Sequence, residues 1–548
     1  VSVPDEILRP TITLPERVTR TAAASPDATA LIFFGSRISY RQLQEHAERI
    51  AAGLQAMGVE KGDRVALMVP NCPQFVIAFF GALRAGAIVT STSPMYTARE
   101  VAHQWNDAGA KIVIADRRLF SVIKEALPEL PSVRHIVLTG LREYYPRNFK
   151  RLCARLKASG KTKKRTSAKS ASNEAPPVAL HKWNDLLCLP ARPKPDGLKP
   201  QDIACLQYTG GTTGTSKGAM LTHANLVGNA AQFRETMHVE RGRQPTAVAA
   251  LPLFHIYALL CVMITSITVG GTVVIMPRFT ARAALSVIRR YRPTIFHGVP
   301  TMYVAFINEP NAKKFGIESL KLCTSGGGPL PVDVREKFEA LTGGRLLEGY
   351  GLTETSPVTH FNPIDRAARS GSIGLTIYGT EARIMDLETG TREMPIGEPG
   401  EIVIRGPQVM KGYWNNPQET ALVLRDGWLY TGDIAKRDAE GYYYIVDRKK
   451  DMIIAGGFNV YPREVEEVLF ECPFVKEAGV IGVPDSYRGE TVKAFVVLKD
   501  GAKATAEEVV AFCRKRLAAY KVPRQVVFRD SLPKSSVGKY LRRELRKL

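Results

Sequence analysis

The sequence predicts an α/β protein: a large N-terminal domain of sheets flanked by helices, followed by a small α+β domain. Three observations predict it. Strand-like and helix-like segments alternate singly between residues 40 and 115, the same alternation returns over 247–299, and after Gly390 short strands separated by glycine turns take over. Strands separated by single helices indicate a parallel sheet with helices on its faces.

Leu43, Ala47, Ile50 and Leu54 recur at helical spacing and predict a helix over 40–57 that stops at Gly58. A strand over 64–69, an apolar helix over 73–84, a strand over 87–92, a helix over 101–108 and a strand over 111–115 follow. The uncharged run 256–276 is long enough to cross a bilayer, but it holds Thr265, Ser266, Thr268 and the pair Gly270-Gly271. A buried helix, a turn and a core strand over 272–276 fit it better. In the C-terminal part, 401–405, 442–446 and 494–498 read as strands, and 462–470 and 506–517 as helices. Residues 514–548 carry twelve Lys/Arg against Asp530 and Glu544. No fixed-period repeat is present.

Between 147 and 177 the pattern lapses. Residues 147–169 hold ten basic residues and no acidic one, with Phe149, Leu152, Cys153 and Leu156 on one helical face. Two readings fit equally well: a basic amphipathic helix at an anionic membrane surface, and a solvated surface insertion.

The chain has 548 residues, which predicts about three or four packed units at roughly 100–200 residues each. Its 45% apolar and 23% charged residues exclude a wholly disordered or fibrous chain. The formal charge of +22 favours anionic partners without choosing among them. Eight scattered cysteines signal neither a zinc site nor a disulfide framework and suit a reducing compartment. Residues 1–10 lack an apolar signal core. A soluble, cytoplasmic protein is expected, with a peripheral position at the inner face of the membrane if the basic stretch binds lipid.

The strongest local signal is 208–220, Tyr-Thr-Gly-Gly-Thr-Thr-Gly-Thr-Ser-Lys-Gly-Ala-Met, after an expected strand and before a helix expected to start near Thr222. Gly210, Gly211 and Gly214 after Thr209 let backbone N–H groups approach an anion, Thr212, Thr213, Thr215 and Ser216 add hydroxyl donors, and Lys217 adds charge. Polyphosphate fits. A P-loop does not, because Ser216 precedes the lysine instead of following it. Glu354 offers a hard oxygen ligand of the kind Mg²⁺ takes while keeping waters and phosphate oxygens. Thr353 beside it can donate to a phosphate oxygen.

This segment resembles the phosphate-binding signature of the adenylate-forming superfamily of acyl-CoA synthetases, luciferases and peptide-synthetase adenylation domains. Four further segments resemble that family's motifs in the family's order: 350–357, 427–433, 447–451 and 533–539. The resemblance covers essentially the whole chain. It implies an AMP-binding N-terminal domain over 1–447 with a β-barrel-like subdomain and the basic insertion at 147–177, and a mobile C-terminal domain over 448–548. It also implies roles. Thr353 and Glu354 would meet phosphate and magnesium, and Asp433 and Arg448 the ribose. Gly326, Gly327 and Gly328 would wall the adenine pocket, with Tyr350, followed by Gly351, stacking on the base. His255 would lie near the acyl carboxylate, Lys450 at the hinge, Gly456 and Gly457 near the pantetheine arm, and Lys539 would be the catalytic lysine.

Within the superfamily the chain most resembles bacterial long-chain fatty acid–CoA ligases, at 181–184, 202–209 and 220–225. ATP, Mg²⁺ and coenzyme A are the implied cofactors, and a fatty acid the substrate. Leu259 departs from members that place an aromatic gate in the acyl tunnel. An aryl–CoA ligase and an acyl-AMP ligase serving a carrier protein are the alternatives. A nucleic-acid partner is not expected, because the basic tract lacks interleaved aromatics. The oligomeric state is left open.

Overall fold

The computed structural model describes residues 5–146, 178–209, 216–238, 245–366, 368–455, 458–485, 489–534 and 540–548. Helices begin where short polar side chains satisfy otherwise unpaired N–H groups. Ser39 and Gln42 form a capping box for helix Tyr40–Ala56, and Thr97 and Glu100 form one for helix Ala98–Ala108. That box corrects the expected start at residue 101: the helix begins at the cap, three residues before its first buried apolar side chain. Helix Pro73–Arg84 has the expected bounds and is buried almost throughout. It lies so close to helix Tyr40–Ala56 that a Cβ on Gly81 would stand 2.9 Å from Ala47 O.

Two large sheets carry the N-terminal part. The first has seven strands in the order Ala179–Lys182, His135–Thr139, Ala110–Asp116, Arg64–Met68, Ile88–Ser91, Ile203–Thr209, Lys217–Thr222. All its pairs are parallel except the last. The second has nine strands, and six in its middle run parallel: Arg345–Gly351, Leu322–Ser325, Ile295–Gly298, Thr246–Ala249, Thr272–Ile275 and Thr29–Phe33. The early hairpin Thr29–Phe33/Ser36–Ser39 therefore joins the second sheet and not the lobe that follows it in sequence.

The run 256–276 is a π-helix over Ala258–Ile264, an α-turn over Thr265–Thr268 and strand Thr272–Ile275, all buried. Tyr40 pins it, donating from its buried hydroxyl to Gly271 O at 2.7 Å. Among the described residues no helix is long and apolar enough to cross a membrane. The seven described cysteines are free.

A five-stranded antiparallel sheet, including Glu381–Met385, Gly400–Arg405, Trp428–Arg437 and Tyr443–Arg448, curls around its own small core. Its outer strands do not pair, so the expected β-barrel-like subdomain is an open half-barrel. The C-terminal module packs helices Pro462–Phe470 and Ala506–Arg514 on a five-stranded mixed sheet with a separate core. The second of these helices stops three residues short of the expected 517, where Arg516 N–H turns back to Cys513 O.

Candidate functional site

Residues singled out from the sequence gather at the C-terminal ends of the second sheet's parallel strands, the edge where open α/β sheets bind ligands. Strand Leu322–Ser325 ends at Gly326–Gly328, its neighbour Arg345–Gly351 ends on Tyr350 and Gly351, and the chain leaving Thr246–Ala249 reaches His255. Gly351 has no room for a side chain, because a Cβ there would lie 1.8 Å from Pro357 O. That close approach turns the chain into the Thr353–Thr355 turn, which carries Glu354.

The half-barrel supplies the facing wall. Strands Trp428–Arg437 and Tyr443–Arg448 pair antiparallel, with a one-residue bulge near Val446 that puts Arg448 opposite Asp433. Arg448 Nε lies 3.1 Å from Asp433 Oδ1, and the Tyr350 hydroxyl donates to Asp433 Oδ2 at 2.6 Å. Burial and then the Asp433 carboxylate hold the Tyr350 phenol well above its ordinary range, so it stays a neutral donor. A carboxylate has about four acceptor positions. Asp433 therefore keeps capacity for further donors.

Glu354 faces the hairpin of strands Ile203–Thr209 and Lys217–Thr222. Its Oε1 accepts from the Tyr413 hydroxyl at 2.7 Å, and the ammonium of Lys217 lies 5.4 Å from the centre of the Tyr413 ring and pairs with Glu419. The helix expected near Thr222 starts there, with Thr222 capping His223–Thr236, and the end of the motif lies in strand Lys217–Thr222 before it. Thr209 and Lys217 are register partners at the mouth of this hairpin. Gly210, Gly211, Thr212, Thr213 and Gly214 lie outside the described residues, as do Gly456, Gly457, Lys539 and the stretch 147–169.

His255 Nδ1 accepts from Tyr257 N at 3.3 Å. Tyr257 ties this loop to the glycine segment: its hydroxyl meets Thr324 Oγ1 at 2.8 Å, and its ring lies 3.3 Å from where a Gly326 Cβ would sit. His255 thus stands on the same sheet edge as Gly326 and Tyr350. Lys450 follows Arg448 on the surface, and crowding by protein with the nearby Arg448 charge lowers its ammonium to about 8.

Residues 18–414 match the AMP-binding enzyme family, and residues 464–539 match the AMP-binding enzyme C-terminal domain. The chain belongs to the AMP-binding enzyme family. It is 46% identical over 549 residues to a long-chain-fatty-acid–CoA ligase of Bacillus subtilis strain 168, covering 99% of this chain and 96% of that protein. It is 37% identical over 529 residues to a feruloyl-CoA synthase of Amycolatopsis, covering 96% and 97%. ATP-bound MatB from Rhodopseudomonas palustris superposes with a TM-score of 0.83 at 30% identity, covering 98% of this chain and 99% of that one.

Family membership makes the chain a binder of ATP. Among the described residues no group of three or more His, Cys, Asp or Glu could hold a metal ion. A cation here would rest on Glu354 with phosphate oxygens and water, which is how Mg²⁺ is bound in nucleotide sites. Sequence reasoning missed Tyr413 at this carboxylate and Glu419 at Lys217. It also missed Glu401, which accepts from Gly432 N at 2.9 Å and pairs with Lys449 at 3.1 Å. Their signal was weak: a lone tyrosine and two isolated glutamates carry no spacing pattern.

Proposed function

We propose that the chain is an AMP-forming fatty acid–CoA ligase acting on long-chain acids. The buried Asp433 carboxylate, held by Tyr350 and Arg448 on the same edge as Glu354, supports this reading most directly. A carboxylate is a poor electrophile, and transfer of AMP onto it gives a mixed anhydride with a good leaving group. Asp433 and Arg448 hold the ribose, and Tyr350 stacks on an adenine lying against Gly326, Gly327 and Gly328. Thr209, the residues 210–214 and Lys217 hold the triphosphate. Thr353 donates to the α-phosphate, and His255 lies near the acyl carboxylate. Mg²⁺ bound at Glu354 would neutralise charge that builds on the phosphates. Lys539 adds a mobile positive charge at the α-phosphate during the first step.

In the second step the domain beyond residue 447 turns about Lys450. Lys539 withdraws, and Gly456 and Gly457 approach the thiol of coenzyme A, which attacks the acyl carbonyl and releases AMP. The stretch 147–169 rests against anionic lipid, where long acyl chains partition. An aromatic acid is the second reading, favoured by the feruloyl-CoA synthase relative. The test is CoA-dependent AMP formation across aliphatic acids of increasing length and hydroxycinnamic acids. Highest kcat/KM on long aliphatic acids supports the proposal; highest kcat/KM on the aromatic acids overturns the substrate assignment.

A further inference from the structure

We infer that Tyr413 is a positioning residue that aims the Glu354 carboxylate at its metal and couples it to the phosphate lysine. The inference rests on the reading of Glu354 as the Mg²⁺ ligand. Residues 410–414 form a strap between the two parts of the phosphate site. On one side Met220 N donates to Gly412 O at 2.9 Å, Lys411 N to Met220 O at 3.0 Å and Trp414 N to Gly218 O at 2.8 Å, so the strap lies beside strand Lys217–Thr222. On the other side Met410 N donates to Glu354 O at 2.8 Å. Gly412 permits this path: its φ is +146°, and a Cβ there would stand 2.7 Å from Thr420 Cγ2.

The strap delivers Tyr413, 8% exposed, between Glu354 and Lys217. Its backbone is held as well, Tyr413 N donating to Thr420 Oγ1 at 2.9 Å. The hydroxyl takes Glu354 Oε1, and among the described residues no donor takes Oε2. One oxygen is thus fixed by the protein and the other left for a cation. A glutamate on a surface turn otherwise turns freely about its terminal bond. Hydrogen bonds that orient a ligating carboxylate typically account for 10- to 100-fold in metal affinity. The ring face does a second job, carrying the Lys217 ammonium that Glu419 holds from the far side. Metal carboxylate and phosphate lysine therefore share one rigid side chain.

Tyr413→Phe separates these roles, since it keeps the ring under Lys217 and removes only the hydroxyl. ATP binding is measured by calorimetry in EDTA and in saturating Mg²⁺ for the wild type, Tyr413→Phe and Glu354→Gln, with the unfolding midpoint of each. We expect Tyr413→Phe to bind ATP in EDTA within about twofold of wild type, to unfold normally, and to lose about tenfold or more of the tightening that Mg²⁺ gives. Glu354→Gln should lose at least as much. If Glu354→Gln loses the tightening and Tyr413→Phe keeps it, the inference is overturned while the metal assignment stands. If neither loses it, Glu354 is not the metal ligand and both fall. Equal weakening of Tyr413→Phe with and without Mg²⁺ makes the tyrosine a packing residue and also overturns the inference.

Discussion

Arg542 Nη1 donates to Asp447 Oδ1 at 2.9 Å, across 95 positions of sequence, so the last helix of the small domain grips the strand that leads into the proposed hinge. The same guanidinium reaches Glu466 Oε2 at 2.8 Å and Asp451 Oδ2 at 3.4 Å, and Arg546 takes the other oxygen of Asp451 at 2.9 Å. Asp447 lies on one side of Lys450, and Asp451 and Glu466 on the other. Rotation about Lys450 would part Arg542 from Asp447 and leave its other partners in place.

Arg542→Ala leaves three crowded carboxylates without their shared cation, and breaking a buried pair from one side costs about 3–5 kcal/mol. The expected outcome is a fall of that order in unfolding free energy, read by denaturant titration. Arg542→Met combined with Asp447→Asn and Glu466→Gln should recover most of it, because no unpaired charge remains. A single-variant loss below about 1 kcal/mol would contradict the ion-pair account.

Asp433→Asn keeps the size of the side chain and removes its charge. Losing a charged hydrogen-bond acceptor costs about 1.5–3 kcal/mol, so the KM for ATP should rise about 10- to 100-fold with the KM for CoA little changed. Steady-state kinetics with each substrate varied in turn decides it, and an unaltered ATP KM removes Asp433 from the nucleotide site.

Lys539 and Lys450 should separate the two half-reactions. Lys539→Ala is expected to slow acyl-AMP formation about 10²–10³-fold and to spare thioester formation from supplied acyl-AMP and CoA. Lys450→Pro, with φ fixed near −65°, should do the reverse. Single-turnover measurements of both steps test this; equal slowing in both variants would contradict domain rotation.

Glu348 is buried, and desolvation raises its carboxyl to about 7, with the Arg463 charge pulling the other way. Glu467 and Arg335 also face it. The folded value lies above the unfolded one near 4.5, so the folded state binds more protons between these values, and the contribution to stability is greatest below pH 4.5 and lost as pH rises through 7. Glu348→Gln should stabilise the protein at pH 8 by about 2–3 kcal/mol and flatten the pH dependence between 5 and 7. Unfolding titrations at pH 5 and 8 measure both, and an unchanged difference between them argues against the shifted carboxyl.

Deleting 147–169 removes ten basic residues. Cosedimentation with anionic vesicles should be lost, while activity on a soluble medium-chain acid persists. Vesicle binding that survives the deletion would place the membrane contact elsewhere.

What could be read from the sequence was local. Helical spacing from Leu43 to Leu54, the bounds of Pro73–Arg84 and the motif residues Tyr350, Glu354 and Asp433 each carry their signal within about twenty positions. What could not be read was pairing. Nothing near Thr29 says that its strand lies beside Thr272–Ile275, more than two hundred positions away. Strand Lys217–Thr222 was hidden because a glycine-rich turn masks the short strand after it. Tyr413 was invisible for the same reason as Arg542: each matters through a partner brought near by folding, and neither sits in a pattern of its own.

The bulge near Val446 decides which residue Asp433 meets. Ala435 pairs with Ile445, yet Asp433 pairs with Arg448, because one extra residue enters the second strand between them. A regular ladder that took Val446 into register would set Asp433 against Asp447, and two like charges directly opposite repel. A ladder that slipped by one residue here would therefore exchange an attraction for a repulsion while every charged side chain of the site remained in the sequence. Spacing here does the work usually credited to residue identity, and a survey of substitutions alone would never reveal it.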